Sequence, residues 1–276
     1  MGARRERRRR ARPVIPSAAI TEWGVTRPWP TRQQIEQDLL LARVIVEIYR
    51  HPYLAKELVF RGGTCLHQLR LSRPWRYSED LDFVRRTNTG MGEVFDALRV
   101  VANEIGLDVA SKVVTEHPKM ILRTNSEDDR AVPLRIKVEV NTHETSPAQP
   151  LEDVEFAVDN QWFTGTAVVR TFTAAELIAT KIRALYQRRK GRDLFDLWLA
   201  LNELGLDPNE VVAAFAPYQP TGYSAVVGIQ NLREKLTSAD FRNDLTPLLA
   251  GGGPNDYDID SAGEQVINQL LSRIPG

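Results

Sequence analysis

The chain has 276 residues, of which 42% are hydrophobic, enough to bury a core in one large domain or two smaller ones. The chain has no run of 18 or more apolar residues, so a helical membrane span is not expected. No apolar stretch follows the basic N-terminus, so a secretory signal is not expected either. The single cysteine, Cys65, excludes an internal disulfide, and no Cys/His cluster has the spacing of a zinc site. We therefore expect a cytoplasmic protein, because this composition suits a reducing compartment.

The charge is unevenly distributed, although 36 basic and 36 acidic residues give a net charge of zero. Residues 4–12 contain seven arginines and one glutamate, which leaves 29 basic and 35 acidic residues, a net charge of −6, in the rest of the chain. Like-charged runs usually stay disordered, so residues 1–15 are predicted to form a basic disordered tail. A solubilising segment and an arm that contacts RNA are equally compatible with it.

The first half of the chain mixes helical and strand patterns. Residues 13–30 contain four prolines and are expected to form an irregular lead-in. Thr31 and Gln34 have the spacing of a capping box, which predicts a helix that ends at His51-Pro52. The elements predicted next are a strand at 57–60, a glycine turn, a short helix at 65–71, a strand at 78–84, a helix at 92–106, and strands at 108–115, 119–124 and 134–141.

The second half changes from strand to helix. Residues 142–161 are predicted to be a polar loop with a possible short strand, and 168–172 to close the sheet. Thr173 begins a helix that ends near Arg189, and Gly191 separates it from a helix at 192–204 and from weaker helices beyond. The boundaries predicted are an α/β domain at 16–170 and a helical domain at 171–276.

The glycine turn is the first candidate for binding chemistry. Gly62, Gly63 and Thr64 lie between a predicted strand and a predicted helix. Glycines let a phosphate approach the backbone closely, and a helix N-terminus offers free N–H groups to it. The alternative is an ordinary turn, since two glycines at a turn are common.

Two carboxylates in the next strand are the second candidate. In a strand, Asp80 and Asp82 project from one face while Leu81 and Phe83 project from the other, toward the core. Two carboxylates this close repel each other unless a cation lies between them, so the pattern predicts a divalent metal site. A solvated strand end with no metal is the alternative.

Glu139 is the third candidate, on the polar face of the strand at 134–141. If the sheet places it beside Asp80 and Asp82, three carboxylates could hold two Mg²⁺ ions for phosphoryl transfer. The alternative is an exposed strand residue whose carboxylate is paired with Lys137 or Arg135.

A basic helical segment is the fourth candidate. Residues 181–192 contain six basic residues, among them Lys181, Lys190 and Arg192, which could neutralise a triphosphate. Asp193 and Asp196 follow in the first turn of the next helix, where capping and dipole complementation are the alternative explanation. The basic segment itself is most often a solvated helix face.

The order of these elements carries more information than any one of them. Three phrases, Phe60–Thr64, Ser78–Phe83 and Arg188–Leu197, resemble the pattern of the AbiEii/AbiGii toxin family of nucleotidyltransferase-like proteins, and most of all its mycobacterial MenT branch. The resemblance spans roughly residues 31–205. It implies the nucleotidyltransferase fold, an α/β (α+β) mixed sheet flanked by helices and followed by a helical C-terminal domain.

The resemblance also implies roles for individual residues. Asp80 and Asp82 would bind Mg²⁺ or Mn²⁺, and Lys181 would contact phosphate. The triphosphate of the NTP substrate would be held by further residues, namely Gly62, Gly63, Thr64, Ser78, Lys190 and Arg192. Asp193 matches the aspartate of the last phrase and is placed among the catalytic residues without a defined role. The third carboxylate is either Glu139 or Glu144.

At the level of function, the resemblance implies a toxin whose antitoxin is a separately encoded protein that need not bind it. Some similar proteins add nucleotides to the 3′ end of tRNA and thereby block translation, so we expect transfer from an NTP to tRNA. Two alternatives stay open: a protein or small-molecule acceptor, and a non-catalytic module that binds nucleotide or RNA. Which NTP and which tRNA are used does not follow from the sequence.

Overall fold

The computed structural model covers most of the chain. It describes residues 15–87, 89–112, 118–127, 129, 132–143 and 146–275, with the backbone alone at 111, 112 and 252. The predicted basic tail therefore lies outside the described residues except for Ile15, which is buried in the core. Glu144, one of the two candidates for a third carboxylate, also lies outside them.

The lead-in is helical, and the prediction of irregular structure there was wrong. Helix α1 spans Ser17–Thr26 and packs on helix α2. Ile20 and Trp23 are buried, and the indole N–H of Trp23 donates to the carboxylate of Asp38 at 2.8 Å. A contact 15 residues along the chain, rather than a strong local pattern, stabilises this short helix.

Helix α2 spans Arg32–Arg50 and begins at the predicted capping box. The Thr31 side chain accepts from the backbone N–H of Gln34, and the Gln34 side chain accepts from the backbone N–H of Thr31. The helix is buried along most of its length and packs on the sheet. A short helix α3, Pro52–Glu57, follows it.

The sheet has seven strands in the order β3-β4-β5-β2-β1-β7-β6. Its pairings are parallel for β2 with β5 and for β1 with β7, and antiparallel for the other four, which makes it a mixed sheet. The strands are β1 Leu58–Arg61, β2 Asp80–Arg85, β3 Asp108–Lys112, β4 Lys119–Asn125, β5 Pro133–Asn141, β6 Glu152–Asn160 and β7 Phe163–Thr171. Between them lie helix α4 Gly62–Cys65, a π-helical turn Leu66–Arg70, and helix α5 Gly92–Ile105.

The segment predicted as a polar loop instead contains β6, a nine-residue strand at the edge of the sheet. It pairs with β7 along its whole length, so β7 lies inside the sheet and does not close it as predicted. Phe156 and Val158 are buried, whereas Asp153 and Glu155 lie on the solvent side. The acidic solvent face lowered the apolar content and concealed the alternation.

Helices form the C-terminal part of the chain. They are α6 Ala174–Gln187, α7 Gly191–Asn202, α8 Pro208–Phe215, α9 Ala225–Leu236, α10 Ala239–Asn243 and α11 Ile259–Gln269. Thr173 caps α6 by accepting from the backbone N–H of Glu176, but the Glu176 carboxylate accepts from the N–H groups of Ala148 and Gln149 instead. Only half of the capping-box pattern is therefore formed.

The described residues form three hydrophobic cores, and the two larger ones accompany this division. One lies between the sheet and helices α1, α2, α3 and α5, and the other lies among the C-terminal helices. Leu66, from the π-helical turn after the glycines, belongs to the second core and so joins the two parts. The predicted fold class, a mixed sheet with flanking helices followed by helices, is confirmed. No helix in the described ranges is both long and apolar enough for a membrane crossing.

Candidate active site

The glycine turn lies between β1 and α4 and is closely packed. Gly62 has a φ of +85°, and a Cβ atom there would lie 2.3 Å from Oδ2 of Asp82. A Cβ on Gly63 would lie 2.5 Å from Nη2 of Arg76. The turn therefore needs glycine because of its backbone conformation and because charged side chains press against it.

Thr64 joins this turn to β2. Its hydroxyl donates to the backbone carbonyl of Asp80 at 2.5 Å and lies 2.9 Å from the hydroxyl of Ser78. Thr64 is buried, whereas Ser78 is partly exposed. Thr64 thus holds the glycine turn against the strand that carries the two aspartates.

Asp80 and Asp82 lie on one face of β2, and Leu81 and Phe83 are buried on the other. The parallel register with β5 sets Asp82 opposite Glu139 and Asp80 opposite Lys137. The neighbourhood predicted for the three acidic residues is thus formed by adjacent strands.

Two lysines balance part of this negative charge. Lys137 Nζ lies 2.6 Å from Oδ2 of Asp80 and 3.1 Å from Oε1 of Glu139, and Lys119 Nζ lies 2.7 Å from the same Glu139 oxygen. Burial alone would raise the pKa of Glu139, but the hydrogen bonds from Lys119 and Lys137 outweigh it and lower this pKa. The lysine pairing considered as the alternative for Glu139 is therefore present.

Asp82 keeps an unbalanced charge. Burial and the neighbouring charges of Asp80 and Glu139 raise its pKa to about 6, against the opposing effect of Arg61 and Lys181. Within the described ranges no group of three or more His, Cys, Asp or Glu side chains is arranged to hold a metal ion. Asp80 and Asp82 nevertheless fit a divalent cation, because they present carboxylate oxygens on one face at a point of excess negative charge.

A cleft of about 280 Å³ opens beside these residues. One wall is formed by strand ends and the glycine turn, and the other by α6 and the residue after it. The residues that line it include Gly62, Gly63, Asp82 and Glu139 on the first wall and Thr180, Lys181, Arg183, Gln187 and Arg188 on the second. An acidic wall therefore faces a basic wall.

Six predicted site residues, among them the fully buried Asp193, do not line this cleft. Thr64 and Ser78 lie behind the glycine turn, and Asp80 is bonded to Lys137. Lys190 Nζ lies 3.0 Å from Asp244, and Arg192 Nε lies 3.9 Å from the same carboxylate. The structure does not bring Lys190 and Arg192 to the cleft walls.

Lys181 lies at the back of the basic wall. It is buried, and its Nζ lies 2.7 Å from Oδ2 of Asp196 and 3.5 Å from Oδ1 of Asp193. Both aspartates are fully buried in α7. Neither caps the helix by a side-chain hydrogen bond, so the capping alternative does not describe them.

Asp196 links α7 to the segment before β2. Arg76 donates to it from Nε and Nη2, both at 2.7 Å, and the Nε2 atom of His67 lies 3.1 Å from its Oδ1. Burial opposes ionisation, but Arg76 and Lys181 together hold the pKa of Asp196 well below its usual range. Burial and the charge of Arg76 lower the pKa of His67 to about 4, so this imidazole is neutral.

The sequence patterns did not identify three residues of this cluster: Arg76, His67 and Arg188. Arg188 and Asp196 stood inside a recognised phrase, but no local signal marked Arg76, whose partner is 120 residues away. Arg188 donates to Asp193 from Nε at 2.6 Å and from Nη2 at 2.7 Å.

A comparison with protein families decides the relationship. The family described as "Nucleotidyl transferase AbiEii toxin, Type IV TA system" matches residues 43–265, most of the chain. The chain belongs to this family. The predicted resemblance is confirmed, and the cleft described above is the candidate active site of a nucleotidyltransferase toxin.

Solved structures agree with this assignment at the level of the fold. MenT4, a nucleotidyltransferase toxin from Mycobacterium tuberculosis H37Rv, is 17% identical with a TM-score of 0.60, covering 95% of this chain and 91% of that one. JHP933 from Helicobacter pylori is also 17% identical, with a TM-score of 0.55, covering 87% of this chain and 92% of that one. No curated protein sequence matches the chain.

Proposed function

We propose that this member of the AbiEii family transfers a nucleotide from an NTP to the 3′ end of tRNA and so blocks translation. The observation that carries the proposal is the cleft in which Asp82 and the glycine turn face Lys181 and Arg188. Carboxylates on one wall and cations on the other suit a metal-bound triphosphate, which carries both kinds of charge.

Asp80 and Asp82 would hold Mg²⁺ or Mn²⁺. When bound, such a cation neutralises charge on the phosphates and makes the acceptor hydroxyl a better nucleophile. The unbalanced charge on Asp82, which has Asp80 and Glu139 as neighbours, supports this assignment.

The protein's own residues bind and orient the substrate. Gly62 and Gly63 line the cleft with backbone rather than with side chains, so a phosphate can approach the backbone closely there. Lys181 and Arg188 offer positive charge from the opposite wall. The acceptor 3′-oxygen attacks the α-phosphorus in line, the bond to the β-phosphate oxygen breaks, pyrophosphate leaves, and the hydroxyl proton passes to solvent.

An RNA acceptor is supported by the charge at the cleft walls. Arg61 and Arg183 line the cleft, where their guanidinium groups lie 5.8 Å from the ring centre of Phe172 and 5.7 Å from that of Tyr218. Arginines held this way on aromatic rings suit a phosphate backbone. The same proposal includes a cytoplasmic location and a separately encoded antitoxin that need not bind the toxin.

The test is a labelling reaction. Purified protein is incubated with total tRNA, Mg²⁺ and each α-labelled NTP in turn, beside the Asp80→Ala and Asp153→Ala variants. Asp153 is a matched control because it is an aspartate on the edge strand β6, paired with Arg170 outside the cleft. We expect label on tRNA with one preferred NTP, retained in Asp153→Ala and lost in Asp80→Ala.

Other outcomes would change the proposal. Label on a protein band, with none on RNA, would make a protein the acceptor. Binding of nucleotide without any transfer, in reactions that contain tRNA and protein acceptors, would favour a non-catalytic module. Full transfer by Asp80→Ala would contradict the assignment of the metal site.

A further inference from the structure

Arg188 stands apart from the other cations of its segment. The segment 188–192 contains four basic residues, but only Arg188 both lines the cleft and is fixed by a buried carboxylate. Lys190 and Arg192 are turned toward Asp244 instead. The structure thus separates one arginine from a run that looks uniform in sequence.

The guanidinium of Arg188 is anchored on one edge and open on another. Its side chain is 49% exposed, while its partner Asp193 is fully buried. Nε and Nη2 donate to the two oxygens of Asp193 in a bidentate pair. An arginine has five N–H donors, so three remain for a ligand in the cleft, and the side chain is already held in place.

Two cationic groups converge at this point. Lys181 Nζ lies 3.5 Å from Oδ1 of Asp193, and Arg188 Nη2 lies 2.7 Å from the same oxygen. Although Lys181 is in the middle of α6 and Arg188 follows its end, their charges therefore lie close together. Both also line the cleft, so the two cations share the buried carboxylate of Asp193 at its basic wall.

The charge balance of the cluster points the same way. Arg76, Lys181 and Arg188 supply three positive charges, Asp193 and Asp196 supply two negative charges, and His67 is neutral. One positive charge is left over, next to the cleft and in the electrostatic field of Asp82 on the other wall. A buried cluster with an excess cation at a cleft is suited to an anion.

We propose that Arg188 binds the β- and γ-phosphates of the nucleoside triphosphate, and that Asp193 is the positioning residue that holds it there. This inference rests on the proposed function. The α-phosphate must lie near Asp80 and Asp82, where the acceptor attacks. The most highly charged part of the NTP, which leaves as pyrophosphate, then faces the wall that carries Lys181 and Arg188.

Binding measurements test the inference without turnover. Calorimetric titrations with Mg²⁺ and ATP, CTP, GTP or UTP, and with the matching monophosphates, are made on the wild type and on Arg188→Ala and Arg188→Lys. We expect Arg188→Ala to weaken NTP binding roughly 10- to 100-fold, the effect of a lost charge-assisted contact. Monophosphate affinity should change less than about twofold, because a monophosphate lacks the groups that Arg188 binds.

Arg188→Lys and one further variant, Asp193→Asn, separate binding from folding. Arg188→Lys keeps a positive charge beside Asp193. A lysine cannot pair with both oxygens of Asp193 and contact the ligand at the same time, so NTP affinity should also fall. Asp193→Asn should lower NTP affinity with little effect on the monophosphate. Arg242→Lys is the control, since Arg242 forms an equivalent bidentate pair with Asp260 on the surface.

The results distinguish the two proposals. A wild type that binds none of the four NTPs would overturn the proposed function and this inference together. A wild type that binds one of them, with equal affinity in both Arg188 variants, would overturn the inference alone. An equal loss for triphosphate and monophosphate would also overturn it, because it would show that Arg188 shapes the cleft rather than contacting the terminal phosphates.

Discussion

Gly62 has a φ of +85° and lies against the carboxylate of Asp82, so its backbone and its surroundings both exclude a side chain. Gly205 also has a positive φ, +58°, but has no atom within 4 Å of the place where a Cβ would stand. Comparing the two positions separates the free-energy cost of placing a side chain on left-handed backbone from the cost of crowding Asp82. In sequence these two glycines are indistinguishable as turn residues.

Gly62→Ala and Gly205→Ala should therefore differ in stability. Gly205→Ala should lower the free energy of unfolding by about 1 kcal/mol, the cost of left-handed backbone for alanine. Gly62→Ala should lower it by about 1 kcal/mol more, because the turn or Asp82 must move. Urea denaturation of the two variants measures the difference, and equal losses would show that the contact with Asp82 relaxes freely.

The contact between helix α7 and the segment before β2 depends on one buried cluster. Asp196 receives hydrogen bonds from Arg76 and lies next to His67 and Lys181. The backbone N–H of Trp75 lies 3.4 Å from Nδ1 of His67, which leaves the proton on Nε2 to be donated to Asp196. The neutral imidazole thus fits a site that already contains two cations.

This arrangement predicts a dependence of stability on pH. The pKa of His67 is lowered to about 4 in the folded protein from an ordinary value of 6.5, so the unfolded chain takes up the proton first as pH falls. The stability that His67 contributes is full above about pH 6.5 and is lost toward pH 4, with a total of about 3 kcal/mol.

His67→Gln should reduce this pH dependence. Glutamine can still donate a hydrogen bond to Asp196 but does not titrate. The free energy of unfolding, measured in urea at several values between pH 7.5 and 4.5, should fall less steeply in the variant than in the wild type. Parallel curves would mean that folding does not shift the pKa of His67.

Charge is distributed unevenly over the whole molecule, and this distribution affects how an RNA acceptor could bind. The described residues contain the cleft and its arginines, whereas the strongly basic residues 4–12 lie outside them. The sequence allows either a solubilising role or an RNA-contacting role for that run. The two roles differ in how they respond to salt.

Deletion of residues 1–12 tests the RNA-contacting role. If the arginines contact phosphates, the KM for tRNA should rise, and its dependence on salt concentration should become less steep, with little change in the KM for NTP. The measurement is the labelling reaction at several salt concentrations. An unchanged KM for tRNA and an unchanged salt dependence would leave the tail with a solubilising role.

Much of the fold could be predicted from local patterns. The alternation in β2 predicts that Asp80 and Asp82 share a face, and the structure agrees. The capping box at Thr31 and the helix after it were also predictable, because capping and periodicity are properties of neighbouring residues. The order of the three motif phrases was enough to indicate the family.

Other features required the folded chain. Helix α1 and strand β6 have weak local patterns and are stabilised by their contacts with α2 and β7, respectively. They were therefore predicted as an irregular lead-in and as a polar loop with a possible short strand. The pairing of Lys137 with both Asp80 and Glu139 depends on the register of two strands more than 50 residues apart.

The sequence by itself therefore determined which residue types could perform phosphoryl transfer and which faces of their strands and helices they occupy. Only the tertiary structure decided which charges meet. It pairs Arg76 with Asp196, turns Lys190 and Arg192 toward Asp244, and leaves Arg188 at the cleft. The physical reason is that periodicity is set by neighbours along the chain, whereas an ion pair is set by distance and burial after distant segments have packed together.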